Sequence, residues 1–563
     1  MNFKKRTASK SGLNLAIIAL FVFLSIFVLY FTIFHNGEIM LGDDLQFHKN
    51  RIEGLAEALR NHEYFPKVNM VFINTMGYAS SIFYSDLFLY FPAILRVIGL
   101  SISETYILFI IAINFLTFII AYISFFNVTM KQKNSLVFSL LYTLSTYRLL
   151  DITRRGAIGE VLALCFLPIA FMGLYHIIYG KPNRWYYLSI GMALIIYAHI
   201  LSAIMLAFLI LVFLLVNSKE LLKNKNRITS FMKAVGITIP LVIGYFVPIL
   251  EQMASQTFKV KSNPVVYISE KALKLGDIIF DALSNNPRPN MGILLIVFMF
   301  VYVFSLKKIT SNSSKHFILL STFFLILTTD LIPWRVLEQT FFNTIQFPWR
   351  FFTFVTLLTC WFIAEDSLNF FNNKVFKATV LIACVLFSFS YTINLRYQTD
   401  EKKMVTYNEF NKVDSYIIGS GLEYLPGNTD YDKLKTKNLN LGYDTENIDI
   451  QNYTKFRSTI TFDFDTSSKQ IVTLPLVYYK GYTSEFMGNG QVSKPYLNET
   501  EEGLASIAVE GKGTVTIQYK NTFAQNISLI VSIFSWIFLC VFLIFRKEMY
   551  KYYIISKQKR ENR

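Results

Sequence analysis

An almost unbroken apolar run from Asn14 to Phe34 opens the chain, and runs of similar length recur along most of it. About 20 apolar residues is what an α-helix needs to cross a bilayer core. In lipid each backbone N–H and C=O must be satisfied within its own segment, so a helix is the structure such a run can take. The charge content agrees: 16% of the 563 residues are charged and 53% are hydrophobic, whereas soluble domains carry about a quarter charged residues. Mean hydropathy is +0.40, and phenylalanine contributes 54 residues. The first run is longer than a signal-peptide core and is not followed by a small-residue cleavage site, so it reads as a retained signal anchor.

Further spans are expected near 105–127, 135–150, 157–179, 185–200, 201–217, 234–250, 291–306, 316–333, 350–364, 376–392 and 526–545, about 12 in all. Lys4, Lys5, Arg6 and Lys10 precede the first. Lys131/Lys133, Lys181/Arg184, the run Lys219–Arg227, Lys307/Lys308, Lys374 and the tail Arg546–Arg563 then fall on the same side. This positive-inside pattern puts both termini in the cytoplasm. It also absorbs much of the net charge of +16, so the basic balance calls for no nucleic-acid partner. The apolar stretch Ile82–Leu100 would reverse every later loop if it spanned. It is therefore expected to be interfacial or re-entrant, with Tyr84, Asp86, Tyr90 and Arg96 in polar surroundings.

The organisation that follows is a membrane domain over 1–392 with a long first outer loop at 35–104, a polar extracytoplasmic block at 393–525, and a last transmembrane helix with a basic tail at 526–563. Shorter outer loops lie at 151–156, 251–290 and 334–349. In the polar block, Arg457–Asp465 and Gly513–Tyr519 alternate with period two, with turn signals at Gly488-Asn-Gly490 and Gly511-Lys-Gly513. A small β-sandwich-like domain is expected there. Cys165, Cys360, Cys384 and Cys540 all fall in expected spans, which leaves the block without a disulfide framework and favours buried apolar thiols. No Walker motif, glycine-rich phosphate loop or strong internal repeat is present.

Chemistry is expected at the outer rim. In Gly42-Asp-Asp-Leu-Gln-Phe-His-Lys-Asn-Arg51, a helical reading puts Asp44, His48 and Arg51 on one face, and Phe47, Ile52, Leu55 and Leu59 give it an interfacial side. Asp43 and Asp44 suit a helix N-cap and suit a catalytic carboxylate equally well. Between two spans, Tyr147-Arg-Leu-Leu-Asp-Ile-Thr-Arg-Arg-Gly-Ala-Ile-Gly-Glu160 brings Arg148, Asp151, Arg154, Arg155 and Glu160 to the membrane rim. Charges at such depth mark either a site or an internal ion-pair network. His199 stands near the outer end of a span, where a core histidine is an equal reading. In Gln346-Phe-Pro-Trp-Arg350 the aromatic pair suits an interfacial belt, and Arg350 suits a phosphate ligand. Asp44 and His48 alone are too few to define a metal site, so no metal is assigned, although a divalent ion remains compatible.

Taken together these motifs resemble the YfhO-like bacterial membrane proteins and their relatives labelled "6-pyruvoyl-tetrahydropterin synthase-related membrane domain". The likeness covers nearly the whole chain: Asp44-x-x-x-His48-x-x-Arg51, Gly77-Tyr78, Phe83-Tyr-Ser-Asp86, Tyr147-Arg148-x-x-Asp151, Arg155-Gly-Ala-x-Gly-Glu160, His199, Gln346–Arg350, Glu423-Tyr-Leu-Pro426 and Leu474-Pro-Leu-x-Tyr478-x-Lys-Gly481-Tyr. The resemblance implies a GT-C-type glycosyltransferase in the bacterial plasma membrane, with its active site extracytoplasmic. Such an enzyme would move a sugar from a polyprenyl-phosphate donor to an envelope glycopolymer such as teichoic acid. It implies Asp44 as catalytic base with Asp43 as runner-up, and Asp151 and Glu160 as supporting carboxylates. Arg155, Arg148, Arg350 and Arg51 would bind the donor phosphate, with His48, Tyr78, Asp86, His199 and Trp349 as further pocket residues. A lipid-linked glycan flippase or polymerase, or a non-catalytic membrane protein that binds envelope polymer, would share the same topology. If the charge pattern sets the topology, a single cysteine from Lys131→Cys is expected to resist membrane-impermeant thiol reagents in intact cells and to react after permeabilisation. Labelling in intact cells overturns the topology.

Overall fold

The computed structural model describes residues 13–261, 266–419, 421–488 and 497–561. Lys4, Lys5, Arg6 and Lys10, the turn residues Asn489 and Gly490, and the side chains of the tail after Arg546 lie outside the described residues.

Every expected apolar segment is helical, but the helices differ in length. Among the described residues, five are long and apolar enough to cross a membrane: Ile102–Thr129, Ile158–Ile178, Lys225–Ser255, Lys374–Gln398 and Phe523–Arg546. The pair Leu15–Phe27 and Tyr30–Gly37, bent by 49°, makes a sixth if it is one broken span. These helices make the chain a multi-pass membrane protein. The expected count of about 12 is not reached on length. Gln132–Thr143, Tyr186–Ala198, Ile293–Phe304 and Phe352–Glu365 have 12, 13, 12 and 14 residues. At 1.5 Å per residue they rise about 18–21 Å, against a bilayer core of about 30 Å. Apolar composition does not separate the two settings, because a helix sunk in a protein core is as apolar as one in lipid. Phe352–Ala364 is buried at every position, and the apolar window of Ile158–Ile178 is 89% buried. In contrast, only 17% of the window in Phe523–Arg546 is buried, and Cys540 on that helix is exposed, unlike the buried thiol expected.

The Ile82–Leu100 stretch breaks at Tyr84–Asp86, and its longest helix is Tyr90–Val97, 8 residues. That is about 12 Å of rise, too short to span. Leu87, Phe91, Ile94 and Ile98 are exposed along it at helical spacing, an apolar stripe suited to a membrane surface. The helix Leu45–Arg60 turns Ile52 and Leu55 of its expected interfacial side into the protein, and it is buried on nearly every side. Glu53 pairs with Arg96 at 2.5 Å on one flank. On another, Lys49 Nζ donates to the carbonyls of Phe410 and Lys412, and Asn50 Nδ2 to that of Asp414.

Small residues set the closest helix contact. A Cβ on Gly191 would collide with the backbone of Ala170, and one on Gly173 with the backbone of Leu188. Ile158–Ile178 and Tyr186–Ala198 therefore meet main chain to main chain, as small residues allow in membranes. Trp361 fills the neighbouring core, its ring 4.7–5.1 Å from those of Phe171, Phe125 and Phe138.

The polar block contains a separate β-sheet domain. β1 (Glu38–Met40) and β2 (Met404–Thr406) pair antiparallel by themselves. β3 (Asp449–Phe456), β4 (Thr459–Val477), β5 (Tyr482–Gly488), β6 (Asn498–Glu499) and β7 (Leu504–Tyr519) form one antiparallel sheet, order β3-β4-β7-β5, with β6 on β7. The strands are hydrogen-bonded into one sheet, with register shifts in the β4–β7 ladder between Thr466 and Gln470 and between Thr473 and Val477. Period-two burial of Ile460, Phe462 and Phe464 gives the sheet its apolar face. It is fastened to the first loop by Val477 N–H donating to Met76 O at 3.0 Å and by Arg457 pairing with Glu57 and Glu63.

The helix contact makes a clear expectation. Gly191→Ala should lower stability by about 1–3 kcal/mol through overpacking, read as a lower thermal midpoint in detergent. Gly236→Ala, where a new Cβ meets open space, should be neutral or mildly stabilising. Equal behaviour of the two variants would contradict the packing account.

Candidate active site

β1–β2 pairing brings the start of the first loop against the segment that follows Lys374–Gln398, and Leu41 N–H donates to Lys403 O at 2.7 Å. The next residues are stapled to the second motif. Asp43 N–H donates to Arg154 O at 3.1 Å, and Asp44 N–H to Arg155 O at 2.8 Å. Arg154 and Arg155 end a π-helical turn, Asp151–Arg155, which closes on Gly156 at φ +60. Such turns are rare and are found often at functional sites. Glycine is required on both sides of the staple: a Cβ on Gly42 would lie 2.5 Å from Gly156 N, and Gly156 adopts a left-handed conformation.

The staple sets Asp44 before a knot of buried charge. Arg155 Nη1 binds Asp151 Oδ1 and Glu160 Oε2, both at 2.6 Å, while its Nη2 faces Asp44 Oδ2 at 3.9 Å. Its guanidinium lies 4.8 Å over the Trp349 ring. Glu160 also accepts from Tyr147 OH at 2.7 Å and meets Arg350 Nε at 3.5 Å. Arg350 Nη1 is held by Ile345 O and Gln346 Oε1. Asp151 is fully buried and its Oδ2 has no hydrogen-bond partner among the described residues. Burial first, and the Glu160 charge second, raise its pKa.

Asp44 differs from both. Its side chain is 50% exposed, against 0% for Asp151 and 3% for Glu160. It occupies the N-cap position of Leu45–Arg60 yet makes no side-chain cap bond. Of the two readings open in the sequence, the carboxylate is therefore not spent on capping. The recess around it raises its pKa by desolvation; Arg155 and Arg350 pull the other way, and Asp43 and Glu160 add to the rise. Asp43 is bound instead to Lys403 Nζ at 2.6 Å.

Other expected residues fall into supporting positions. Arg51 Nη2 donates to Asp86 Oδ1, Tyr84 O and Ser85 O, each at 2.8 Å, and its guanidinium lies 4.1 Å over the Tyr84 ring. That buried pair ties the helix Leu45–Arg60 to the broken Ile82–Leu100 stretch and leaves Arg51 no free face for a phosphate. His48 is buried beside it, Nδ1 3.3 Å from Arg51 Nη1, and desolvation together with that guanidinium lowers its pKa well below the usual value. His48 thus meets Arg51 rather than Asp44. Among the described residues, no three His, Cys, Asp or Glu side chains group as metal ligands. Arg148 is fully buried against the span Ile102–Thr129, bound to Asn114 Oδ1 and Thr117 Oγ1 at 2.6 and 2.8 Å, so it stands apart from the knot. Tyr78 is buried and its hydroxyl accepts from Tyr424 N–H. His199 sits at an extended break between helices, bonded to Ser202 at 2.8 Å, its ring 6.0 Å from that of Tyr84.

Four residues join the site without having been assigned to it. Tyr84 packs its hydroxyl against Gly159, where any Cβ would strike it; this explains the second glycine of Arg155-Gly-Ala-x-Gly-Glu160. Tyr147 and Glu423 stand in quoted motifs but had no role. Burial and the like charge of Asp44 raise the Glu423 carboxyl, which marks it as a neighbour. Lys403 comes from a surface charge run with no local signal. The pairs also separate stability from chemistry. Asp86→Asn breaks a buried ion pair and should cost about 3 kcal/mol. Asp43→Asn breaks an exposed one and should cost less than about 1 kcal/mol. Denaturant unfolding in detergent reads the difference, and equal costs would refute the assignment of Arg51–Asp86 to structure.

Comparison with known proteins gives relatives without an activity to transfer. An uncharacterised protein of Lactococcus lactis subsp. cremoris (strain MG1363) is 24% identical over 605 residues, covering 92% of this chain and 94% of its own. The solved structure of the arabinofuranosyltransferase AftD from mycobacteria aligns with a TM-score of 0.42 and 13% identity, over 68% of this chain. This chain spans 27% of that one. A family model matches residues 3–343, more than half of the sequence. The chain belongs to DUF6541, a family of unknown function.

Proposed function

We propose that this protein is a membrane glycosyltransferase that moves a sugar from a polyprenyl-phosphate donor onto a cell-envelope acceptor at the outer leaflet, with Asp44 as the general base. The observation that carries the reading is a half-open carboxylate that caps nothing, held 3.9 Å from a guanidinium anchored on two buried carboxylates. The positive-inside pattern and the resemblance to YfhO-like, GT-C-type proteins support the outer side and the reaction class.

Glycosyl transfer needs little more from a protein than this. Asp44 takes the proton of the acceptor hydroxyl as its oxygen attacks the anomeric carbon. The bond from that carbon to the phosphate oxygen breaks, and the lipid phosphate leaves with the electron pair. A phosphate is already a weak base, so cationic side chains stabilise it without a strong general acid. Arg155 and Arg350 draw Asp44 toward its ionised form, against the desolvation of its recess and the like charges of Asp43 and Glu160. Asp43 is the weaker candidate for the base because Lys403 already holds it.

The test is transfer by purified protein in lipid nanodiscs, with a labelled polyprenyl-phosphate sugar and envelope glycopolymer. Asp44→Asn should lower the rate by about 100-fold or more and Asp43→Asn by much less. Full transfer by Asp44→Asn removes it from catalysis, and lipid scrambling without transfer supports the flippase reading instead. A base must be ionised, so activity should fall as pH drops through a value above the ordinary aspartate range. Asp43→Asn removes a like charge that raises Asp44, so it should move this fall to lower pH. A shift in the other direction would count against the Asp44 assignment.

A further inference from the structure

A cavity of about 310 Å³ opens beside Lys403, the ion-pair partner of Asp43, between the first loop, the π-helical turn and the end of Lys374–Gln398. Arg154, Arg288 and Lys403 line it, against a single carboxylate, Asp400. All three cations are exposed. Arg154 donates to Pro287 O, Lys403 is bound to Asp43, and the Arg288 guanidinium has no hydrogen bond or ion pair among the described residues. Leu395 and Thr399, at the end of a membrane-length helix, complete the wall.

The arginines expected to hold a donor phosphate are committed elsewhere. Arg51 is spent on Asp86 and two carbonyls, Arg148 on Asn114 and Thr117, and Arg155 and Arg350 are largely taken by Glu160, Asp151 and Gln346. Arg154 and Arg288, which pair with no carboxylate among the described residues, lie on the other side of the staple. We infer that this cavity binds a phosphate group, and that the lipid-linked donor is its source. Guanidinium forks and an ammonium suit the several oxygens of a phosphate. The volume falls in the range of small-ligand sites and has room for a phosphate and one sugar ring. A lipid lying along Lys374–Gln398 would bring its head group to Leu395 and Thr399. The backbone of Asp43 and Asp44 is bonded to that of Arg154 and Arg155, so the cavity and the proposed base are set by the same staple. The donor as source rests on the glycosyltransferase reading; the phosphate site does not.

The experiment measures binding to the full-length protein in nanodiscs of neutral lipid, with no sugar present. The probes are farnesyl phosphate, farnesol and inorganic phosphate. Farnesyl phosphate should bind, and the double variant Arg154→Gln/Arg288→Gln should weaken it at least about tenfold. Asp400→Asn, which removes the one carboxylate in the cavity lining, should tighten it, a gain that misfolding does not produce. An unchanged affinity in the double variant, weaker binding in Asp400→Asn, or farnesol binding as tightly as farnesyl phosphate overturns the inference. If inorganic phosphate matches farnesyl phosphate with the same arginine dependence, the phosphate site stands and the lipid source falls. Absence of any sugar transfer by the unmodified protein would defeat the transferase reading without touching these binding results.

Discussion

Two backbone hydrogen bonds, from the amides of Asp43 and Asp44 to the carbonyls of Arg154 and Arg155, hold the candidate site together. They can form only because Gly42 and Gly156 let two main chains approach where a Cβ on either side would clash. Once made, they fix the direction of four charged side chains at once. Asp44 and Arg155 face each other at the knot, while Asp43 and Arg154 turn to Lys403 and Pro287 at the cavity. A π-helical turn suits this purpose, since its extra residue advances the chain without lengthening the helix.

Buried charge around the staple is matched carefully. Arg51–Asp86, Arg96–Glu53 and Arg155 with Asp151 and Glu160 each remove a charge from water only against a partner, as the desolvation cost demands. These pairs define the path of the chain between expected spans. The strained turn Ile73-Asn74-Thr75, with three successive positive φ values of 53, 47 and 69°, is held by Ser415, which accepts from the amides of Ile73 and Asn74. Lys455 from β3 donates to Thr75. The sheet domain and the first loop therefore share contacts, and the strain is tolerated because neighbours over-determine it.

Much of this was legible before any fold was known. Asp151, Arg155 and Glu160 were picked out as costly charges at the membrane rim, and Asp44, Trp349 and Arg350 from the outer-loop motifs and the resemblance; the structure brings these six together. Arg148 carried the same signal, and Arg51 and Asp86 were drawn from the first-loop motifs, yet all three turned out to be matched within the scaffold. A buried charge looks alike in sequence whether its partner is a protein group or a ligand. The helical segments were readable and their lengths were not, because a break such as the extended His199 leaves hydrophobicity unchanged.

What the sequence determined by itself is what depends on neighbours a few residues away. Apolar runs became helices because a backbone in lipid must satisfy its own hydrogen bonds, and period-two segments became strands because side chains alternate there. The tertiary structure alone decided which charges are spent and which are open. Asp43 meets Lys403 across 360 positions and Lys49 meets Phe410 across 361, and no local spacing encodes such a pairing. Asp44 sits where any helix would accept a cap, and only the fold turns its carboxylate away from the helix end toward Arg155. Which acid stays free depends on where the rest of the chain has placed its bases.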